Sequence, residues 1–185
     1  MSDNTDNPPD DSRRGGGSRP HLLDPNRLAD YLDSLYRAAW AMCGSPHDAE
    51  DLVQETFLKV LKRPRLIRDG NELGYLMRAL RNTYASHYRV AARHPTRELY
   101  EDDGVFTAEP TISARELMEA IASAPPAFRD AVIAVDVLGM SYRDAARQLD
   151  TREATITTRV HRGRQHVARR LKDELGDEVP TSTAP

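Results

Sequence analysis

Apolar residues in this chain recur at spacings of three and four, the runs open on serine and stop at glycine or proline, and strand-like alternation of useful length is absent. That pattern leaves little but short helices. Leu28, Tyr31, Leu32, Leu35, Tyr36 and Ala39 keep helical spacing up to about Cys43, and Gly44 supplies the stop. "SPHD" restarts the chain with Ser45 as N-cap, Pro46 at the first helical position and Asp48 completing a capping box. This helix is expected to run to Arg63, because Pro64 disfavours α geometry in the residue before it. A third helix is predicted over 71–92. Ser113 and Glu116 form another capping box, and helices are predicted over 114–122, 126–137 and 142–149, with a last one from about 152. Gly139 ends the second of these, while Ser141 and Asp144 cap the third.

The fold class expected is therefore all-α, with two small helical domains over 24–93 and 113–175. The polar, acidic stretch 94–112 reads as a flexible linker, and 1–23 and 176–185 read as disordered tails with little to bury.

The formal net charge is -3, which excludes a uniformly basic coat, but the charge is blocked by segment. Arg152 to Lys172 holds seven Arg/Lys against the single acid Glu153. Lys62 to Arg93 holds eight against Asp69 and Glu72, and the linker holds five acids against one arginine. The single Cys43 rules out an intramolecular disulfide and reads as a small buried hydrophobe. No Cys/His cluster has zinc spacing, so neither metal nor cofactor is expected. No apolar run approaches the roughly 20 residues of a membrane span, and the expected compartment is the cytoplasm, without membrane insertion.

The junction of the last two predicted helices carries the most specific signal. "SYRDAARQL", the minimal turn "DT" and "REATITTRVHRGRQHV" form the pattern of a helix-turn-helix, whose second helix enters the major groove. At about 100° per residue, Ile156, Val160, Gly163, Val167 and Leu171 fall in one stripe for burial. The opposite side displays Thr158, His161, Arg162, Gln165 and Arg169, flanked by Thr157 and Arg164. Arginine can bond guanine in a bidentate way, glutamine can read adenine and threonine can meet a phosphate or a thymine methyl. Arg169, Arg170 and Lys172 suit phosphates. A solvated basic helix that contacts nothing is the plainer reading of such a run.

On the predicted helix 46–63, Ala49, Leu52, Val53, Phe57 and Val60 share one face, which leaves Asp51, Gln54, Glu55 and Leu58 on the other. A leucine among acids has the layout of a protein-docking site, an apolar centre with an acidic rim. The helix 71–92 buries Leu73, Leu76, Met77, Leu80, Tyr84, Tyr88 and Ala91, and so turns Tyr75, Arg78, Asn82, Arg89 and Arg93 outward. Cations that track phosphates beside a ring that stacks on a base suit single-stranded nucleic acid.

"DAEDLVQETFLKVL", "LGYLMRALRNTYASHYR" and "APPAFRDAVIAVDVLGMSYRDAARQLDTREATITTRVHRGR" resemble, in that order, bacterial RNA polymerase sigma factors of the extracytoplasmic-function (ECF) group, over about 24–172. The resemblance implies an alternative sigma factor, not an enzyme, that binds core RNA polymerase and directs promoter-specific initiation. It implies that Asp51, Gln54, Glu55 and Leu58 dock on the β′ clamp helices, with the β flap as a further partner surface. It implies that the loop 65–71 and the following helix melt and hold the −10 element, which assigns Arg65, Arg68, Asn71, Tyr75, Arg78, Asn82 and Arg89 to opened DNA. It implies that Thr155, Thr157, Thr158, His161, Arg162, Gln165 and Arg169 meet the −35 duplex. The linker would thread the RNA path, and an anti-sigma factor is a partner such proteins commonly have. Thr157 stands where many relatives carry a basic residue, and Tyr75 occupies a common tryptophan position.

The chief rival reading is an ordinary helix-turn-helix regulator whose first domain senses a ligand or dimerises. An enzyme ranks third: Asp48, Glu50, Asp51 and Glu55 are clustered carboxylates, but no nucleophile with a base, phosphate loop or metal set accompanies them.

Overall fold

Serine caps set the helix starts where their spacing predicts. The Ser45 hydroxyl accepts from the Asp48 amide at 3.3 Å and the Ser141 hydroxyl from the Asp144 amide at 3.1 Å. Ser113 and Glu116 cap each other reciprocally, at 3.1 and 2.7 Å. Gly44, with φ +77°, takes the left-handed conformation that closes the first helix. The computed structural model describes the backbone of residues 20–67, 71–91 and 112–177, and the side chains of all of these except 88–91 and 174–177. Its helices are α1 (Leu28–Cys43), α2 (Pro46–Lys62), α3 (Glu72–Ala91), α4 (Ala114–Ala122), α5 (Pro126–Val132), α6 (Tyr142–Gln148) and α7 (Glu153–Asp177). The all-α class expected from the pattern is what the chain adopts.

Two local features differ from the sequence reading. The helix expected over 126–137 is α-helical only to Val132 and continues as a wider π turn over Ile133–Val137, where the Leu138 amide reaches back to the Ile133 carbonyl at 3.0 Å. Two strands also occur, β1 (His21–Leu22) and β2 (Leu66–Ile67), paired antiparallel with His21 opposite Ile67 and Leu22 opposite Leu66. Two residues are too few for a period of two to be read. With Leu23 buried, His21–Leu23 belong to the folded body rather than to the tail assigned to 1–23. The linker 94–112 lies, but for Ile112, outside the described residues, as do the tail up to 19 and residues from 178.

In the first half, α1 packs on α2 and α2 on α3, with Leu35, Ala38, Leu52, Leu76 and Leu80 almost fully buried. Each large aliphatic chain so buried stabilises by about 1.5–3 kcal/mol. In the second half α5 lies against α7 at Gly163. A Cβ there would collide with the Val132 side chain and sit 3.1 Å from the Phe128 carbonyl oxygen, so only glycine permits this approach. Ala131, Ala134, Ala145 and Ala146 form a small-residue layer around Ile156 and Val160.

The halves are packed together. One core cluster holds Leu35 and Met42 from α1 alongside Ile121, Val132 and Ile133 from the second half. Arg129 is buried at the seam, with Nη1 3.0 Å from the Tyr84 hydroxyl, its guanidinium carbon 4.7 Å from the Tyr84 ring centroid and its Nε without a hydrogen-bond partner. Arg81 Nε donates to Asp130 at 3.0 Å, and buried Gln148 Nε2 donates to the Gly74 carbonyl at 2.6 Å. Among the described residues no helix is long and apolar enough to cross a membrane.

Candidate nucleic-acid interface

The turn between α6 and α7 is tight because Asp150 adopts φ +49°, a left-handed conformation that Asp tolerates better than most residues. The Thr151 amide then bonds the Ala146 carbonyl at 3.0 Å and α7 begins two residues on. The expected stripe is the buried one: Ile156 and Val160 are at most 1% exposed, Gly163 and Val167 are buried, and Leu171 is half-buried. Thr157, Thr158, His161, Arg162, Gln165 and Arg169 are exposed on the other side, and Thr155 is half-buried at its edge. The two threonine hydroxyls donate back to the Glu153 and Ala154 carbonyls at 3.2 Å, which leaves their lone pairs and methyls outward. The Arg162 guanidinium lies 6.0 Å from the Phe128 ring centroid, over a shallow groove lined also by Pro125, Gln165, His166 and Arg169. Arg164 is exposed but paired within the chain, its guanidinium donating to the Asp136 carboxylate at 3.0 and 2.6 Å.

On α2, Asp51, Gln54 and Leu58 are exposed, and Leu58 keeps 55% of its surface in solvent. Leu61, 45% exposed, extends this apolar centre by one turn. Glu55 is half-buried and engaged, 2.6 Å from Lys59 Nζ and paired also with His87, and the Lys59 hydrogen bond holds its carboxyl below the usual range.

Arg65 precedes β2 and is exposed, as are Arg78 and Asn82 along α3. Asn71 is exposed, but its Oδ1 accepts from the Gly74 amide at 2.8 Å, so it caps α3. Tyr75 does not stand clear as the helical projection suggests; its ring is half-buried against the core. Arg68 and the Arg89 side chain lie outside the described residues.

Sequence reasoning missed Glu72, which it counted only as an acid in a basic window. Glu72 is 4% exposed and bonds His21 Nε2 at 2.9 Å, Arg27 Nη1 at 2.9 Å and the Tyr31 hydroxyl. The tyrosine hydrogen bond holds its carboxyl below the usual carboxylate range against the opposing effect of burial. Nothing local marks it, since its partners lie 41 to 51 residues away in sequence.

Residues 28–94 match Sigma-70 region 2 and residues 114–167 match Sigma-70, region 4. The chain is 33% identical over 146 residues to the ECF RNA polymerase sigma factor EcfG of Rhodopseudomonas palustris, an alignment covering 74% of this chain and 78% of EcfG. This chain belongs to the ECF RNA polymerase sigma factors. It is also 34% identical over 149 residues to SigE of Mycolicibacterium smegmatis, covering 76% of this sigma factor but only 58% of SigE. Its fold matches the RpoE sigma factor of Bartonella quintana, solved with the anti-sigma factor NepR, with a TM-score of 0.62, 25% identity, 80% of this chain and 95% of that one. Region 2 thus spans α1, α2 and α3, and region 4 contains the helix-turn-helix. As an alternative sigma factor the protein directs promoter-specific transcription.

Proposed function

We propose that three faces divide the work of initiation. Asp51, Gln54 and Leu58, extended by Leu61, dock on the β′ clamp helices of core polymerase, with Glu55 holding Lys59 and His87 at the rim. Arg78 and Asn82, with Arg65 and Tyr75, hold the opened −10 strand. Thr157, Thr158, His161, Arg162, Gln165 and Arg169 read the −35 duplex. The observation that carries this reading is the pairing of a sealed apolar stripe on α7 with an outer face whose polar and cationic side chains are exposed together. That face offers bidentate donors to base edges in the major groove.

Separation of the two halves belongs to the same proposal. Elements about 25 base pairs apart lie ~85 Å apart on B-DNA, at about 3.4 Å per pair. A packed body of roughly 140 residues is only about 40 Å across. In the packed arrangement the protein engages one element at a time, and the promoter-bound form opens at the seam around Arg129 and Gln148. An anti-sigma factor, the kind of partner with which RpoE was solved, belongs to the same proposal.

Reconstitution with bacterial core polymerase, followed by sequencing of transcripts from genomic DNA, tests the reading. Starts redirected to a shared −35/−10 pattern support it. Tight autonomous binding to palindromic duplex, with no change in start sites, favours the ordinary regulator instead.

A further inference from the structure

We propose that Glu72 is a positioning residue for −10 recognition, clipping the N-terminal strand to the first turn of α3 so that the ends of the preceding loop and Tyr75 are held in register for opened DNA. The inference rests on the reading of α3 as the −10 surface.

A carboxylate that is 4% exposed is costly to keep unless both oxygens are satisfied. Here Oε1 meets His21 Nε2 at 2.9 Å, while Oε2 meets Arg27 Nη1 at 2.9 Å and the Tyr31 hydroxyl. The first turn of α3 adds the favourable end of the helix dipole. All three partners come from the segment before or at the start of α1. That segment also forms β1, whose pairing with β2 places His21 opposite Ile67, itself 4% exposed. One N-terminal element therefore grips the loop at its entrance, through β2, and at its exit, through Glu72. Asn71 fastens the same exit by capping Gly74, and Tyr75 follows one turn after Glu72. A flipped or stacked base needs its receiving groups fixed in advance, and a shift of about 1 Å in such groups can cost on the order of a hundredfold in rate.

The test uses holoenzyme reconstituted from full-length variants, a promoter library randomised over the −10 element, and permanganate reactivity of opened thymines. Glu72→Ala is expected to lower reactivity at least about tenfold and to flatten −10 base preference, with core-polymerase affinity unchanged. Because Glu72→Ala can fail to fold, a His21→Ala/Arg27→Ala variant removes two partners that lie at the surface. The same direction of change, smaller in size, is expected. A merely structural clip would lower melting temperature and leave base preference intact. Wild-type preference and reactivity in both variants, measured well below their melting temperatures, would overturn the proposal. Tyr75→Ala and Arg78→Ala separate the two ideas. If they too leave −10 preference untouched, the −10 reading of α3 fails and takes the inference with it; if they alter it while the Glu72 variants do not, only the inference fails.

Discussion

Gln148, at the end of the first helix of the helix-turn-helix, donates a 2.6 Å hydrogen bond to the carbonyl of Gly74 in the first turn of α3. Two residues 74 positions apart thus join region 4 to the first turn of the region 2 helix α3. Both groups are buried, so the bond is made in place of water rather than alongside it.

Gln148→Ala removes a buried hydrogen bond across the seam, and since the Gly74 carbonyl keeps its intrahelical partner the packed arrangement loses about 0.5–1.5 kcal/mol. The expected result is a larger radius of gyration in small-angle scattering and faster amide hydrogen exchange in the first turn of α3 and in α6, with helix content unchanged. Identical scattering and protection would show that the apolar seam alone holds the halves together.

Arg162→Ala removes the exposed guanidinium at the centre of the α7 outer face. A loss of about 1–3 kcal/mol in promoter affinity, confined to −35-dependent templates, is expected in run-off transcription. Unchanged preference at every −35 position would refute the assigned role.

Leu58→Asp places a charge at the apolar centre of the α2 face. Because Leu58 is 55% exposed, the fold should tolerate the change, with circular dichroism and melting temperature near wild type. Affinity for core polymerase is expected to fall by about tenfold or more, as at a truncated interface centre. Full competition with other sigma factors for core would move the docking face elsewhere.

Cys43 closes α1 with its thiol pushed up to about 12, chiefly by burial and secondarily by Asp48. The thiolate is the reactive species, so modification by a disulfide reagent at pH 8 should be slow in the native protein and fast in denaturant. The linkage has a definite sign: the unfolded thiol loses its proton first, so this group's contribution to stability is complete below pH 9 and declines as pH rises from there toward 12. Cys43 is half-buried, so prompt native-state labelling at pH 8 would show that its neighbours do not shield the thiol.

What could be read from the sequence followed the range of the interactions involved. Ser45, Ser113 and Ser141 bond amides three residues on, and the Ile156–Val160–Gly163–Val167 stripe repeats within one helix, so caps and buried faces are both legible. Tyr75 is half-buried rather than clear of the fold, because helical projection gives the angle of a side chain but not the neighbour that covers it. Arg129 and Glu72 look like ordinary surface charges in sequence, yet Tyr84 and Met42 enclose one and Tyr31, Arg27 and His21 enclose the other.

The sequence by itself determined the all-helical fold, the order of its helices and the two blocks of positive charge, because each depends on spacing within a few turns. Only the tertiary structure decided that region 2 and region 4 share one core, that Arg129 and Gln148 lie in the seam between them, and that a buried carboxylate ties the N-terminal strand to α3. Those outcomes depend on groups brought together across 41 to 87 residues, where the chain's path and not its local period sets who meets whom.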